Sequence, residues 1–234
     1  MPWSQNRIAE GDDAPQPVLN APLVAVAVAV SMPLLYLVQV WVGPSWIEAL
    51  AFRPSSLFHG GWWPGLVTDM FAHSGWGHVG GNAALAFAFG APVARILKGV
   101  RGVFVFLLFY MTCGVTASIG YAFIHPGSDD FLIGASGAVF GLIGAGLRLL
   151  GRRDGTLRAL TDRKLLTPAA VLMALNVLVG LIGLAPGAIG LSIAWEAHAV
   201  GFLVGLFAIG PVSRIMKRKP DSFDSPDDSR DPPV

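Results

Sequence analysis

Charge is what this chain has least of. Asp, Glu, Lys and Arg make up 13% of its 234 residues, against 53% hydrophobic residues. An ordinary soluble domain carries about 25% charged residues. With a mean hydropathy of +0.60, the composition is that of an integral membrane protein. The formal net charge is only +1, and no basic groove pattern is present, so nucleic acid is not an expected partner. Cysteine occurs once, at Cys113 inside an apolar run. A disulfide framework within the chain and a multi-cysteine metal site are therefore excluded, and Cys113 reads as a small buried hydrophobe. There is no HExxH motif and no second carboxylate to go with His73, His78 and His198, so a metal hydrolase is not expected. Paired charges near the middle of an apolar run are also missing, which argues against a transporter or channel. The first residues combine Arg7 with Glu10, Asp12 and Asp13, a poor signal-peptide n-region, and the apolar run that follows is too long for one. No repeat of fixed period occurs.

What the chain does have is a series of charge-free windows. The first runs from Ala14 to Ile47, with Pro22 and Pro33 inside and Gly43-Pro44 closing it. The second lies between Asp69 and Arg95, the third between Arg101 and Asp129, the fourth between Asp130 and Arg148. Leu165 to Leu184 is the fifth, broken by Ala185-Pro186-Gly187, and Ala197 to Val212 is the sixth. The fourth and sixth are about the shortest that can cross a bilayer. The expected fold is thus an all-α membrane bundle of six transmembrane helices, spanning residues 18–213, with tails at 1–17 and 214–234. The second tail, rich in Asp, Ser and Pro after Pro220, reads as disordered.

Basic residues set the orientation. Arg95, Lys98 and Arg101 lie between windows two and three. Arg148, Arg152, Arg153, Arg158, Arg163 and Lys164 lie between four and five. Arg214, Lys217, Arg218 and Lys219 follow six. Six spans put all three groups on one side, which is then cytoplasmic along with both termini. The outer side holds the segment 43–69, whose Trp46, Phe52, Phe58, Trp62 and Trp63 make it too apolar for a free loop. It is expected in the outer interface, packed on the helices.

The polar residues converge at one depth. Ser136 lies in Gly134-Ala135-Ser136-Gly137-Ala138-Val139-Phe140-Gly141, near the outer end of window four. Glycine costs a helix about 1 kcal/mol against alanine in water, but in a bilayer it lets helices approach closely and leaves first-turn N–H groups uncovered. A serine so placed could be a nucleophile with oxyanion donors beside it. By itself the stretch fits better a packing residue that bonds its own backbone, since small-residue faces are common in membrane helices. His78 and Asn82, at i and i+4, share a face near the outer end of window two. His198, Gly201 and Gly205 share a face of window six, and Gly137, Gly141 and Gly144 form a ridge on window four. If the ridges pack, Ser136 Oγ and an imidazole nitrogen of His198 meet as nucleophile and base. No carboxylate is evident as a third member, because Glu196 is two positions from His198 and so on the other side of a helix. Asn176 reads as a buried hydrogen-bonding residue, and His59 and His125 as interfacial.

Three motifs together, Gly134-x-Ser136-Gly137-x-x-x-Gly141, Ala197-His198-x-x-Gly201-x-x-x-Gly205 and His73-x-x-x-x-His78-x-x-x-Asn82, resemble those of the rhomboid intramembrane serine proteases. The resemblance covers roughly residues 18–213. It implies a six-helix rhomboid-like fold with Ser136 as nucleophile and His198 as general base. It assigns His78 and Asn82, with Gly134 and Gly137, to the oxyanion and substrate-binding surface. His73 would belong to the base of the first outer loop, and Phe140, Gly141, Gly201 and Gly205 would support the site. The implied activity is cleavage of transmembrane helices near the outer boundary of a cell (plasma or inner) membrane, without metal or cofactor. The implied partners are transmembrane protein substrates and the lipid bilayer. A non-catalytic relative that binds or escorts membrane helices is the alternative. Where many members carry a Trp-Arg pair in the first loop, this chain reads Pro64-Gly65, and Phe140 stands where some have Tyr.

Overall fold

The structure is a computed structural model that describes residues 21–152, 155–182 and 193–217. The two tails beyond these bounds and the Ala185-Pro186-Gly187 break lie outside the described residues. Among the described residues, five helices are long and apolar enough to cross a membrane: α1 (Leu23–Val42), α5 (Trp76–Ile96), α6 (Gly99–Ile124), α8 (Arg163–Ile182) and α9 (Trp195–Lys217). Three short helices, α2 (Ser45–Leu50), α3 (Ser55–His59) and α4 (Gly65–Thr68), and a 3-10 turn at Asp69–Phe71 fold the segment between α1 and α5. The remaining helix, α7 (Ser136–Leu147), has 12 residues.

α7 is the hub. Ten of its 12 residues are buried, and it packs on α5, α6 and α9, while α1 packs on α5. Its sides are made of Gly137, Gly141, Gly144 and Gly146 alternating with Val139, Leu142 and Ile143, so neighbouring backbones come close without leaving voids. At about 1.5 Å rise per residue it is about 18 Å long, well short of a hydrocarbon core of about 30 Å. The fourth window is therefore not one full-length helix. Its first part is extended chain: Leu132 exchanges backbone hydrogen bonds with Phe52 (3.1 and 2.8 Å), and Gly134 has φ +119°, a conformation that glycine tolerates. The helix starts only below that entry. α9 errs the other way: it begins at Trp195 and continues to Lys217, so Arg214 and Lys217 sit in its last turn.

The segment between α1 and α5 packs against the bundle. Ala51 and Phe52 are buried, and Phe58 meets Phe123 of α6 edge to face at 5.4 Å. Thr68 donates to Leu50 O (2.9 Å). A clamp ties the segment to α1: Gln39 donates to His73 O (2.6 Å) and accepts from His73 N–H (2.9 Å). Trp62 and Trp63 keep about half their surface exposed.

Candidate active site

α5, α6, α7 and α9 open toward the α2–α4 end into a cavity of about 810 Å³. Ser136, His198, His78, Asn82, Gly134 and Gly137 all line it. Ser136 is the first residue of α7, and the helix has no side-chain cap. The first-turn N–H groups therefore carry the positive end of the helix dipole with no side chain of their own to neutralise it.

The Ser136 Oγ to His198 Nε2 distance is 2.7 Å. Glycines make that approach possible. A methyl group at Gly201 would run into Gly137 O, and one at Gly205 into Gly141 O. Gly144 faces Phe202 O of α9 in the same way. The Cβ directions of Gly137 and Gly141, in contrast, point to Ala117 and Cys113 of α6. The two ridges thus meet glycine on glycine, Gly201 against Gly137 and Gly205 against Gly141. The α7 carbonyls bear on α9 and the bare α-carbons of Gly137 and Gly141 admit α6, making a three-helix junction.

The imidazole of His198 is held on three sides. Phe140 stacks on its face, with centroids 4.3 Å apart and planes 7° from parallel. Nε2 faces Ser136, and Nδ1 lies 2.8 Å from Asn176 Oδ1 on α8. Asn176 also donates from Nδ2 to Trp195 O (2.9 Å). Sequence reasoning identified Asn176 as a buried polar residue but not its partner, since nothing in a spacing of 22 residues pairs it with His198. Glu196 turns away to His125 Nε2 (3.2 Å).

On the opposite wall, Nδ1 of His78 receives Ser74 Oγ at 2.9 Å and Ser74 N–H at 3.5 Å. Its Cε1–Nε2 edge lies over Gly134, where a Cβ would come within 2.7–2.8 Å of it. Gly134 cannot offer its own N–H to a ligand, because that group donates to Asp69 O (2.9 Å); its role in the cavity is the room its missing side chain leaves. Asn82 is buried, and its Nδ2 has no partner among the described residues. An unpaired buried donor is costly unless something else uses it.

Behind these, His73 is 1% exposed with neither ring nitrogen bonded among the described residues, its ring edge-on to His78 at 5.2 Å. Burial, and to a lesser degree His78, hold its imidazole down to about 3, so it is neutral. Asp69 accepts from Ser118 Oγ (2.7 Å). Burial pushes its carboxyl well above the ordinary range, against the lowering effect of Ser118 and the Met70 N–H. Among the described residues, no group of three His, Cys, Asp or Glu side chains could hold a metal ion.

Comparison with known proteins gives the family. Residues 59–215 match the model of the Rhomboid domain. The chain is 30% identical over 149 residues to "Putative rhomboid protease YdcA" of Bacillus subtilis, covering 61% of this chain and 72% of that one. It is 31% identical over 122 residues to "Rhomboid protease GluP" of the same organism, over 50% of this chain and 22% of that one. It is 40% identical over 88 residues to "RHOMBOID-like protein 9, chloroplastic" of Arabidopsis thaliana, over 38% and 18% of the two chains. A multi-pass helical membrane protein whose match to the family model runs from α3 into α9, this chain belongs to the rhomboid family.

Proposed function

We propose that the protein is an intramembrane serine endopeptidase that cleaves transmembrane helices by a Ser136–His198 dyad. The observation that carries this reading is the 2.7 Å contact of Ser136 Oγ with His198 Nε2 on the wall of a cavity. The two rhomboid proteases among the relatives point the same way. The membrane domain is residues 18–213, with six helices, α7 being the short one, and both termini cytoplasmic. The site then lies just below the outer surface of the cell membrane.

Ser136 Oγ attacks the scissile carbonyl carbon as its proton passes to His198 Nε2. The oxyanion formed is held by Asn82 Nδ2, by His78 Nε2–H and by the N–H groups of the first turn of α7. Ser74 supports that tautomer of His78, since its N–H can only donate to Nδ1. The tetrahedral intermediate collapses, the C–N bond breaks, and His198 returns its proton to the leaving amine. Water then attacks the Ser136 ester with His198 as base, releasing a carboxylate and restoring the hydroxyl. A substrate helix must unwind first, because its carbonyls are already bonded within the helix, so small or helix-breaking residues near the cleaved bond are preferred.

The test is incubation of the purified protein in detergent with a single-span model substrate, beside a Ser136→Ala control. A serine-directed fluorophosphonate probe measures nucleophilicity without the natural substrate. Cleavage and labelling by the parent protein but not by Ser136→Ala are expected. Equal behaviour of the two would end the reading.

A further inference from the structure

Two contacts on α8 set the protonation of the base. Trp195 O is a carbonyl and can only accept, so the Asn176 group 2.9 Å from it is the amide nitrogen. The other end of the amide, Oδ1, can only accept, and it lies 2.8 Å from His198 Nδ1. A neutral imidazole in that position must carry its proton on Nδ1. Its lone pair is then on Nε2, 2.7 Å from Ser136 Oγ, which donates to it. The Phe140 stack fixes the plane of the ring, and Asn176 fixes its rotation and tautomer.

We infer that Asn176 is a positioning residue that completes a Ser136–His198–Asn176 relay and makes α8 part of the site. This rests on the reading of Ser136 and His198 as nucleophile and base. When His198 takes the Ser136 proton, Asn176 Oδ1 still accepts from Nδ1–H, so no partner is lost as charge develops on the ring. α8 is also the least embedded long helix: 17% of its apolar window is buried, against 33–44% in the other four. Near its end, Gly180 lies under the Trp195 ring, where a Cβ would come within 2.6 Å of Cδ1. The bond to His198 therefore lasts only while α8 stays seated against α9.

The experiment compares wild type, Asn176→Leu, Asn176→Asp and Ser136→Ala for cleavage, for fluorophosphonate labelling and for the pH dependence of kcat/KM. Asn176→Leu removes the acceptor at similar volume. Its kcat is expected to fall about 10- to 100-fold, part of the 10²–10⁴ that a positioned base contributes. KM should stay within about twofold, and labelling should slow by the same factor as kcat. Asn176→Asp gives up the donation to Trp195 O but keeps an acceptor at Nδ1 and adds a charge that favours imidazolium. It is expected to restore most of kcat and to move the acid limb of the profile up by about one pH unit. The other titratable groups on the cavity wall, His78, Asp69, Tyr121, Asp129 and Asp130, are common to wild type and variant. Wild-type kcat in Asn176→Leu, or an unmoved acid limb in Asn176→Asp, would overturn the inference. So would matched losses of activity and thermal stability in both variants, which would reduce Asn176 to a tie between helices. Absence of labelling in the wild type would instead fail the dyad itself.

Discussion

Gly201 of α9 sits against the carbonyl oxygen of Gly137, one residue after Ser136, with no space between them for a methyl group. The hydroxyl and the imidazole are each anchored within one turn of this contact. Gly201→Val is therefore expected to push α7 and α9 apart, costing about 1–3 kcal/mol by overpacking and most of the cleavage activity. Thermal unfolding in detergent and cleavage of a model substrate measure the two effects. Gly80, which has nothing within 4 Å of a would-be Cβ, is the control: Gly80→Ala should leave both nearly unchanged. An active Gly201→Val protein would show that the helix approach does not govern the site.

Phe140 holds the His198 ring by its face. Phe140→Tyr keeps the stack and should retain most activity. Phe140→Ala loses about 0.5–1.5 kcal/mol of ring–ring contact beyond its area burial and lets the imidazole tilt. The expected signature is lower kcat with KM little changed, measured by steady-state cleavage. Equal kcat in the two variants would remove Phe140 from the account.

Asn82 and Gly134 test the oxyanion wall from two sides. Asn82→Ala deletes the unpartnered buried donor and is expected to lower kcat about 10²-fold, a smaller loss than Ser136→Ala because other donors share the charge. Gly134→Ala is strained by its φ of +119° and drives a methyl into the His78 ring. It should lower kcat and stability together, whereas Asn82→Ala should not destabilise, since no bond is lost. A destabilised Asn82→Ala protein would mean that the amide has a structural partner instead.

Two buried groups make stability depend on pH in opposite senses. His73 is neutral in the fold, with its value lowered from 6.5 to about 3. The unfolded chain binds the extra proton, so this contribution is complete above pH 6.5 and is lost as pH falls toward 3. The slope is at most about 1.4 kcal/mol per pH unit. Asp69 is raised, so its contribution is complete below the ordinary carboxylate value of 3.8 and is lost as pH rises above it. Relative to wild type, His73→Leu should lose less thermal stability between pH 6.5 and 4, and Asp69→Asn should gain stability near neutral pH. Parallel melting-temperature profiles for all three proteins would contradict the burial of both groups as the cause.

Much of this was legible in residue order alone. Scarce charge and long apolar windows indicated a helical membrane protein. Ser136, His198, His78 and Asn82 stood out because polar groups at membrane depth are costly and here fall at one depth. Gly201 and Gly205, one turn apart, marked where a helix could come close. These are local patterns of period and spacing, and a single chain carries them openly.

Other features belong to the folded molecule. The length of α7 depends on Leu132 pairing with Phe52, some 80 residues earlier, which keeps the entry to the helix extended. The occupied N–H of Gly134 depends on Asp69 O, and the mixed α6–α7–α9 junction on which way each glycine faces. The tautomer of His198 depends on an amide from α8 whose orientation is set by a carbonyl of α9. Composition and spacing determined the class of protein and the candidate site residues, because those follow from solvent preference and helical period. Which atoms meet, and with which protons, was decided by contacts between distant segments, and directional hydrogen bonds leave no periodic trace in a sequence.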